Sequence, residues 1–171
     1  MKKQPSKKDY LATLNKISKA ITSDLYIEDI LKLVVNLTAG VMRAKICALW
    51  LLDEETGDLK IRATQAMSQE YLKERSLHGG EGIVGLVAKE RKPIVIPDVL
   101  KDENYKEKQL AKKEKLVSML SVPMMVKDRV IGVINVYTTS LYKFTRSDVD
   151  LLGAVANQAA VAIENTELIV K

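Results

Sequence analysis

The chain has 171 residues, 47% apolar and 29% charged, which suits one soluble domain with a real core and helical extensions. A single cysteine, Cys47, and a single histidine, His78, exclude an internal disulfide, a two-thiol redox couple, a cysteine cage for a metal and any imidazole cluster. The net charge of +5 comes largely from Lys2, Lys3, Lys7 and Lys8 and from Lys101 to Lys115, where six lysines face four acidic residues; with only 5% aromatic residues this reads as a solvated face, not a nucleic-acid surface.

No apolar run approaches the roughly 20 residues that span a bilayer, and Met1-Lys2-Lys3-Gln4-Pro5 leads into a charged helix rather than a signal-peptide core. The expected compartment is therefore the cytoplasm, with no membrane partner. From Ser6 to Ile21, Tyr10, Leu14, Ile17 and Ile21 form a narrow apolar stripe on a lysine-rich helix, which asks for a partner helix. Ser23-Asp24 offers a break and a cap before a more hydrophobic helix, Ile27 to Met42, expected in the core. Residues 1–22 are thus read as a dimer or signalling helix and 23–171 as one domain, including a long C-terminal helix over 146–170.

Ile46 to Leu52 is a short apolar run ended by Asp53-Glu54-Glu55-Thr56-Gly57-Asp58, after which Leu59 to Thr64 alternates apolar and polar. This predicts a hairpin with a buried first strand. Tyr71 to His78 reads as a polar helical or loop stretch. Four of the eight glycines then fall between Gly79 and Gly85, so the backbone turns tightly before a short apolar helix. Gly80, Gly82 and Gly85 satisfy G-x-G-x-x-G, with Asp98 or Asp102 following, but no buried strand runs into the first glycine, as a dinucleotide fingerprint requires.

Pro93 to Ile96 is expected as a third strand, Val117 to Val126 as a fourth, and Val130 to Tyr137 as a fifth after the tight turn Lys127-Asp128-Arg129, which implies antiparallel neighbours. Between them, Asp102 to Lys115 carries few apolar anchors, Tyr105 and Leu110, and reads as a loosely docked helix or a lid with a small role in the core. The last helix opens with Thr145-Arg146-Ser147-Asp148, a capping-box-like start. Along it Leu152, Val155, Ala159, Ala162, Thr166 and Ile169 recur at spacings of three and four, and Leu151, Ala156, Ala160 and Ile163 line a neighbouring face. The expectation is that one face covers the sheet and the other meets a second copy; the alternative is a helix buried within one monomer.

In their order and spacing these segments resemble the GAF domain, a regulatory module of bacterial signalling proteins. The resemblance runs from about Ile27 to Glu167 and rests on ALWLLDEETGDL (48–59), GEGIVGLVAKERKPIVIPDV (80–99), SVPMMVKDRVIGVINVY (121–137) and FTRSDVDLLGAVANQAAVAIENTEL (144–168). It implies an α+β, GAF-like or profilin-like fold: a central antiparallel sheet of about six strands, N- and C-terminal helices on one face and a ligand pocket on the other. With strand alternation it proposes a lining of Ile46, Ala48, Trp50, Met119, Ser121, Asn135 and Tyr137, joined by Gly82, Ile83, Ile96 and Asp98. It also implies dimerisation through the terminal helices, at Tyr10, Leu14, Ile17, Ile21, Leu152, Val155, Ala159, Ala162, Thr166 and Ile169.

The chain departs from the special branches of that family. Asn135, Phe144 and Asp148 match the cyclic-nucleotide-binding pattern, but Val136 and Val149 stand where that pattern has lysine and glutamate; Phe144 and Asp148 are explained as core packing and a helix cap. Cys47 lies within the first strand, unlike the chromophore cysteine of bilin-binding relatives, and the several cysteines of the methionine sulfoxide reductases are missing. His78, as a lone loop histidine, reads as solvated rather than as a haem ligand.

The expected function is a non-catalytic sensory module that binds a small molecule of unknown identity and signals through dimerised terminal helices. The alternatives are a structural dimerisation or protein-binding module without ligand and, disfavoured by the lack of a paired-carboxylate or Cys-His constellation, an enzyme. No metal site is indicated, and the sequence leaves the cofactor unknown. The apolar end Leu168-Ile169-Val170 suits a helix that continues into a kinase, cyclase or transcription-regulator output domain, and equally a free-standing protein with an output partner; no kinase, receiver or DNA-binding motif occurs in the chain.

Overall fold

In the computed structural model the described residues are 6–23, 26–65, 76–78 and 81–170, with the backbone alone described for 76–78 and 167–170. Helix α1 (Lys7–Ile21) starts at a capping box: the Ser6 hydroxyl accepts from the Asp9 N–H at 3.2 Å, and the Asp9 carboxylate accepts from the Ser6 N–H at 3.1 Å. Helix α2 (Ile27–Met42) buries the apolar stripe Ile30, Leu31, Val34, Val35 and Ala39 and ends at Arg43 in the left-handed region, φ 54°.

Strands β1 (Ile46–Leu52) and β2 (Asp58–Thr64) form the expected hairpin, closed by Gly57 at φ 78°. They are followed by β3 (Ser76–His78), helix α3 (Gly82–Glu90), β4 (Ile94–Ile96), a 3-10 turn (Val99–Lys101) and helix α4 (Lys108–Glu114). Strands β5 (Ser118–Val126) and β6 (Arg129–Thr138) form a second hairpin, and helix α5 (Arg146–Val170) ends the described chain. The sheet has six strands in the order β3-β2-β1-β6-β5-β4, every pair antiparallel. A strand, β3, does precede the glycines, but its pairing and every other are antiparallel, which leaves no place for the parallel crossover of a dinucleotide fold.

Because side chains alternate along a strand, the sheet separates two cores. Cys47, Leu49, Leu120, Val122, Ile134 and Val136 face the terminal helices, packing with Ile17, Leu31 and Val155 among others. Ile46, Ala48, Trp50, Met119, Val133 and Tyr137 face the other way, packing with Ile83 and Val87 of α3, Val99, Tyr105 and Leu116.

Two expectations need correction. Ser76–His78 is an edge strand, pairing with Lys60, Leu59 and Asp58; three residues are too short to show a period of two. The stripe assigned to a dimer contact faces inward: Ile17, Leu152, Val155 and Ala159 are 0% exposed and Ala162 4%, all in the core of the same chain. Tyr10, Leu14 and Ile21 are half-buried against that core, Thr166 is half-buried, and the Ile169 side chain lies outside the described residues. Leu151, Ala156, Ala160 and Ile163 are buried there too, so both apolar stripes of α5 are used within the domain, where small alanines let the helix approach. Its outward face carries Ala154, Asn157 and Val161 instead.

Cys47 is fully buried, and burial pushes its thiol well above the ordinary cysteine range. A disulfide-exchange reagent is therefore expected to leave the native protein unlabelled for hours at neutral pH and to titrate one thiol at once in denaturant. Fast native labelling would contradict this burial.

Candidate functional site

Antiparallel register places the predicted lining in three adjoining rows on the face away from the terminal helices. Ile96, Met119, Tyr137 and Ile46 are cross-strand neighbours in one row. Ser121, Asn135 and Ala48 are neighbours in the next, flanked by Ile94 and Thr64. Trp50, beside a register shift in β1, sits opposite Val133 in the third. Ile83 packs into the same cluster from α3.

Gly82, at the start of that helix, has φ +65°, a conformation that side chains rarely adopt, and lies against the Lys106 side chain. Gly79 and Gly80 lie outside the described residues, as does the side chain of His78. Asp98 caps the 3-10 turn, its Oδ1 accepting from the Leu100 N–H at 3.1 Å.

The segment from Asp102 to Lys115 has a larger core role than its charge suggests. Tyr105, Ala111 and Leu116 are buried in the same cluster, and the Tyr105 ring meets Tyr137 edge-on at 6.3 Å with the two hydroxyls 3.3 Å apart. At the far end of α4, Lys45 donates to the Glu114 backbone carbonyl and stands 3.9 Å from its carboxylate. The segment is therefore pinned at both ends. Tyr105 was visible only as a rare aromatic in a charged run, a weak signal for a buried contact.

Two side chains break the apolar character of this face. Asn135 and Ser121 are 0% exposed, they sit directly opposite each other, and Asn135 Oδ1, Asn135 Nδ2 and Ser121 Oγ have no hydrogen-bond partner. A buried polar group left unmatched costs about 1–3 kcal/mol, so this pair is expensive for the fold alone. A separate surface groove, between α2 and β2, is lined by Leu31, Ile61 and Ala63 and bounded by a 2.7 Å Arg62–Glu28 ion pair; Asn135 and Ser121 do not line it. Among the described residues no group of three His, Cys, Asp or Glu could hold a metal ion, and no helix is long and apolar enough to cross a membrane.

A two-core antiparallel sheet with the terminal helices on one side and an apolar, polar-centred face on the other defines an α+β architecture. The chain belongs to the GAF domain family, whose model matches residues 25–164. It is 25% identical over 158 residues to a phosphoenolpyruvate-dependent phosphotransferase system protein of Escherichia coli, covering 92% of this chain and 21% of that protein. It is 26% identical over 152 residues to the Nif-specific regulatory protein of Herbaspirillum seropedicae, covering 86% of this chain and 28% of that protein. The chain thus spans 21% and 28% of the length of these two relatives.

The GAF domain of a phosphoenolpyruvate-protein phosphotransferase from Coxiella burnetii superposes with a TM-score of 0.86 at 23% identity, covering 94% of this chain and 96% of that one. A free methionine-R-sulfoxide reductase from Neisseria meningitidis superposes with a TM-score of 0.82 at 19% identity, covering 99% and 98%. Both are likenesses of fold.

Proposed function

We propose that the chain is a non-catalytic sensory module of the cytoplasm that binds a small molecule against β1, β5 and β6 and signals as a homodimer through its terminal helices. The observation that carries this reading is the pair Asn135 and Ser121, buried with three unmatched polar atoms in the middle of an apolar face. An arrangement that costs folding energy is kept where a ligand repays it. The only cysteine is buried on the opposite face, which supports a non-catalytic role. Pairing of α5 across a dimer would use Ala154, Asn157 and Val161, since the inward stripe is occupied. The output partner would be a phosphotransferase-system or other regulatory protein, the kinds in which relatives carry a matching segment.

The second reading, a structural module without ligand, is favoured by how fully Trp50, Met119, Tyr105 and Tyr137 pack the face. Native mass spectrometry beside the denatured mass separates the two. The sensory reading expects a dimer carrying extra mass that is lost on denaturation and is absent from Asn135→Leu. That variant, which replaces an unmatched amide by an apolar group of similar size, is expected to be as stable as the parent within about 1 kcal/mol, or more stable. A dimer without extra mass supports the structural module.

A further inference from the structure

Resting on the reading that the Asn135 face binds a small molecule, we propose that this molecule is uncharged and presents an amide-type edge, a carbonyl beside an N–H, to the Asn135 carboxamide. Asn135 is fully buried with both polar atoms of its side chain unpartnered. A primary carboxamide offers an acceptor and a donor from one planar group, and another amide-type edge satisfies both at once through two antiparallel hydrogen bonds. A carboxylate satisfies Nδ2 but sets its second negative oxygen against the lone pairs of Oδ1. An ammonium fails in the opposite sense.

Ser121 Oγ, also buried and unpartnered, is the cross-strand neighbour of Asn135 and supplies a further contact that donates or accepts. Neutrality follows from the surroundings. The adjoining positions on the face are Ile46, Ala48, Trp50, Met119, Val133 and Tyr137. Among the described residues the buried charged side chains are Glu114 and Asp148; the first faces Lys45 beside β1, and the second caps α5 on the other side of the sheet. A charge brought to Asn135 would lose its hydration and meet no buried counter-ion among the described residues. Tyr105 covers the Tyr137 end of the row, its hydroxyl 3.3 Å from that of Tyr137.

The test is saturation-transfer NMR of the full chain at neutral pH with three matched pairs: acetamide and acetate, benzamide and benzoate, nicotinamide and nicotinate. At least one amide is expected to bind saturably, with its carboxylate weaker by about tenfold or more, because a site built to pair a polar group rejects the analogue that cannot pair. Asn135→Leu should abolish that binding and Ser121→Ala weaken it several-fold. A carboxylate bound as well as its amide overturns the proposal and leaves the ligand-binding face standing, as does failure of all three amides while native mass spectrometry still shows a bound molecule. Failure of all six probes with no retained mass overturns both.

Discussion

Gly132→Ala is expected to cost about 3 kcal/mol or more, a large share of the roughly 5–15 kcal/mol that holds a domain of this kind together. A Cβ at Gly132 would stand 2.1 Å from the Trp50 carbonyl oxygen and 2.4 Å from the Met124 Cε. The methionine methyl ends a flexible side chain and can swing aside. The carbonyl cannot, because β1 and β6 are paired around it, with Leu51 opposite Gly132 and a register shift in β1 between Leu49 and Trp50. Relief requires opening the central strand pair, which is shared by both cores.

Urea unfolding followed by circular dichroism measures the loss, and a change below about 1 kcal/mol would show that the pair yields easily. Gly153→Ala is the control. Its Cβ meets nothing within 4 Å in the middle of α5, so it should stabilise by about 0.5–1 kcal/mol.

Asp148→Ala is expected to cost about 3 kcal/mol as well. Its carboxylate, 3% exposed, accepts from the Tyr10 hydroxyl at 2.8 Å, the Tyr142 hydroxyl at 2.6 Å and the Thr145 N–H at 2.8 Å, while its own N–H donates to the Thr145 hydroxyl. One residue thus caps α5, holds the loop before it and ties α1 to both. Removing it leaves three donors without their acceptor. Tyr10→Phe and Tyr142→Phe should each cost about 1 kcal/mol, less than hydrogen bonds to a fully buried charge, because both rings are partly exposed.

Tyr10 also sets a pH dependence. Burial first, then the bond to Asp148 and its charge, raise the phenol above its ordinary value of 10.0. The folded chain therefore holds this proton more firmly than the unfolded one. Its contribution is complete below about pH 10 and is lost as pH rises further. Tyr10→Phe should flatten the alkaline limb of a stability–pH profile, and an unchanged limb would contradict the assignment.

The hairpins were legible because short runs, apolar in β1, β5 and β6 and alternating in β2, are bounded by the turn residues 53–58 and 127–129, and a period of two then assigns the faces. Asn135 and Ser121 were legible for the complementary reason, as polar residues at face positions of otherwise apolar strands. The destination of the α5 stripe was not. A repeat at spacings of three and four states which residues share a face and is silent on whether a sheet or a second chain covers it. Tyr105 was hidden among lysines, since one anchor in a charged run has no period. Which buried atoms stay unmatched on that face is a property of register that no single segment expresses.

The sheet is also a partition one peptide thick. Asn135 looks into one compartment, while Ile134 and Val136, covalently joined to it, bear on the terminal helices in the other. A ligand on the proposed face that shifted β6 by a fraction of an ångström would displace the bed on which α5 rests, with no relay of side chains between. Sensitivity at the far side would then depend on the stiffness of one strand, which at Gly132 stands too close to the Trp50 carbonyl of β1 to admit a Cβ.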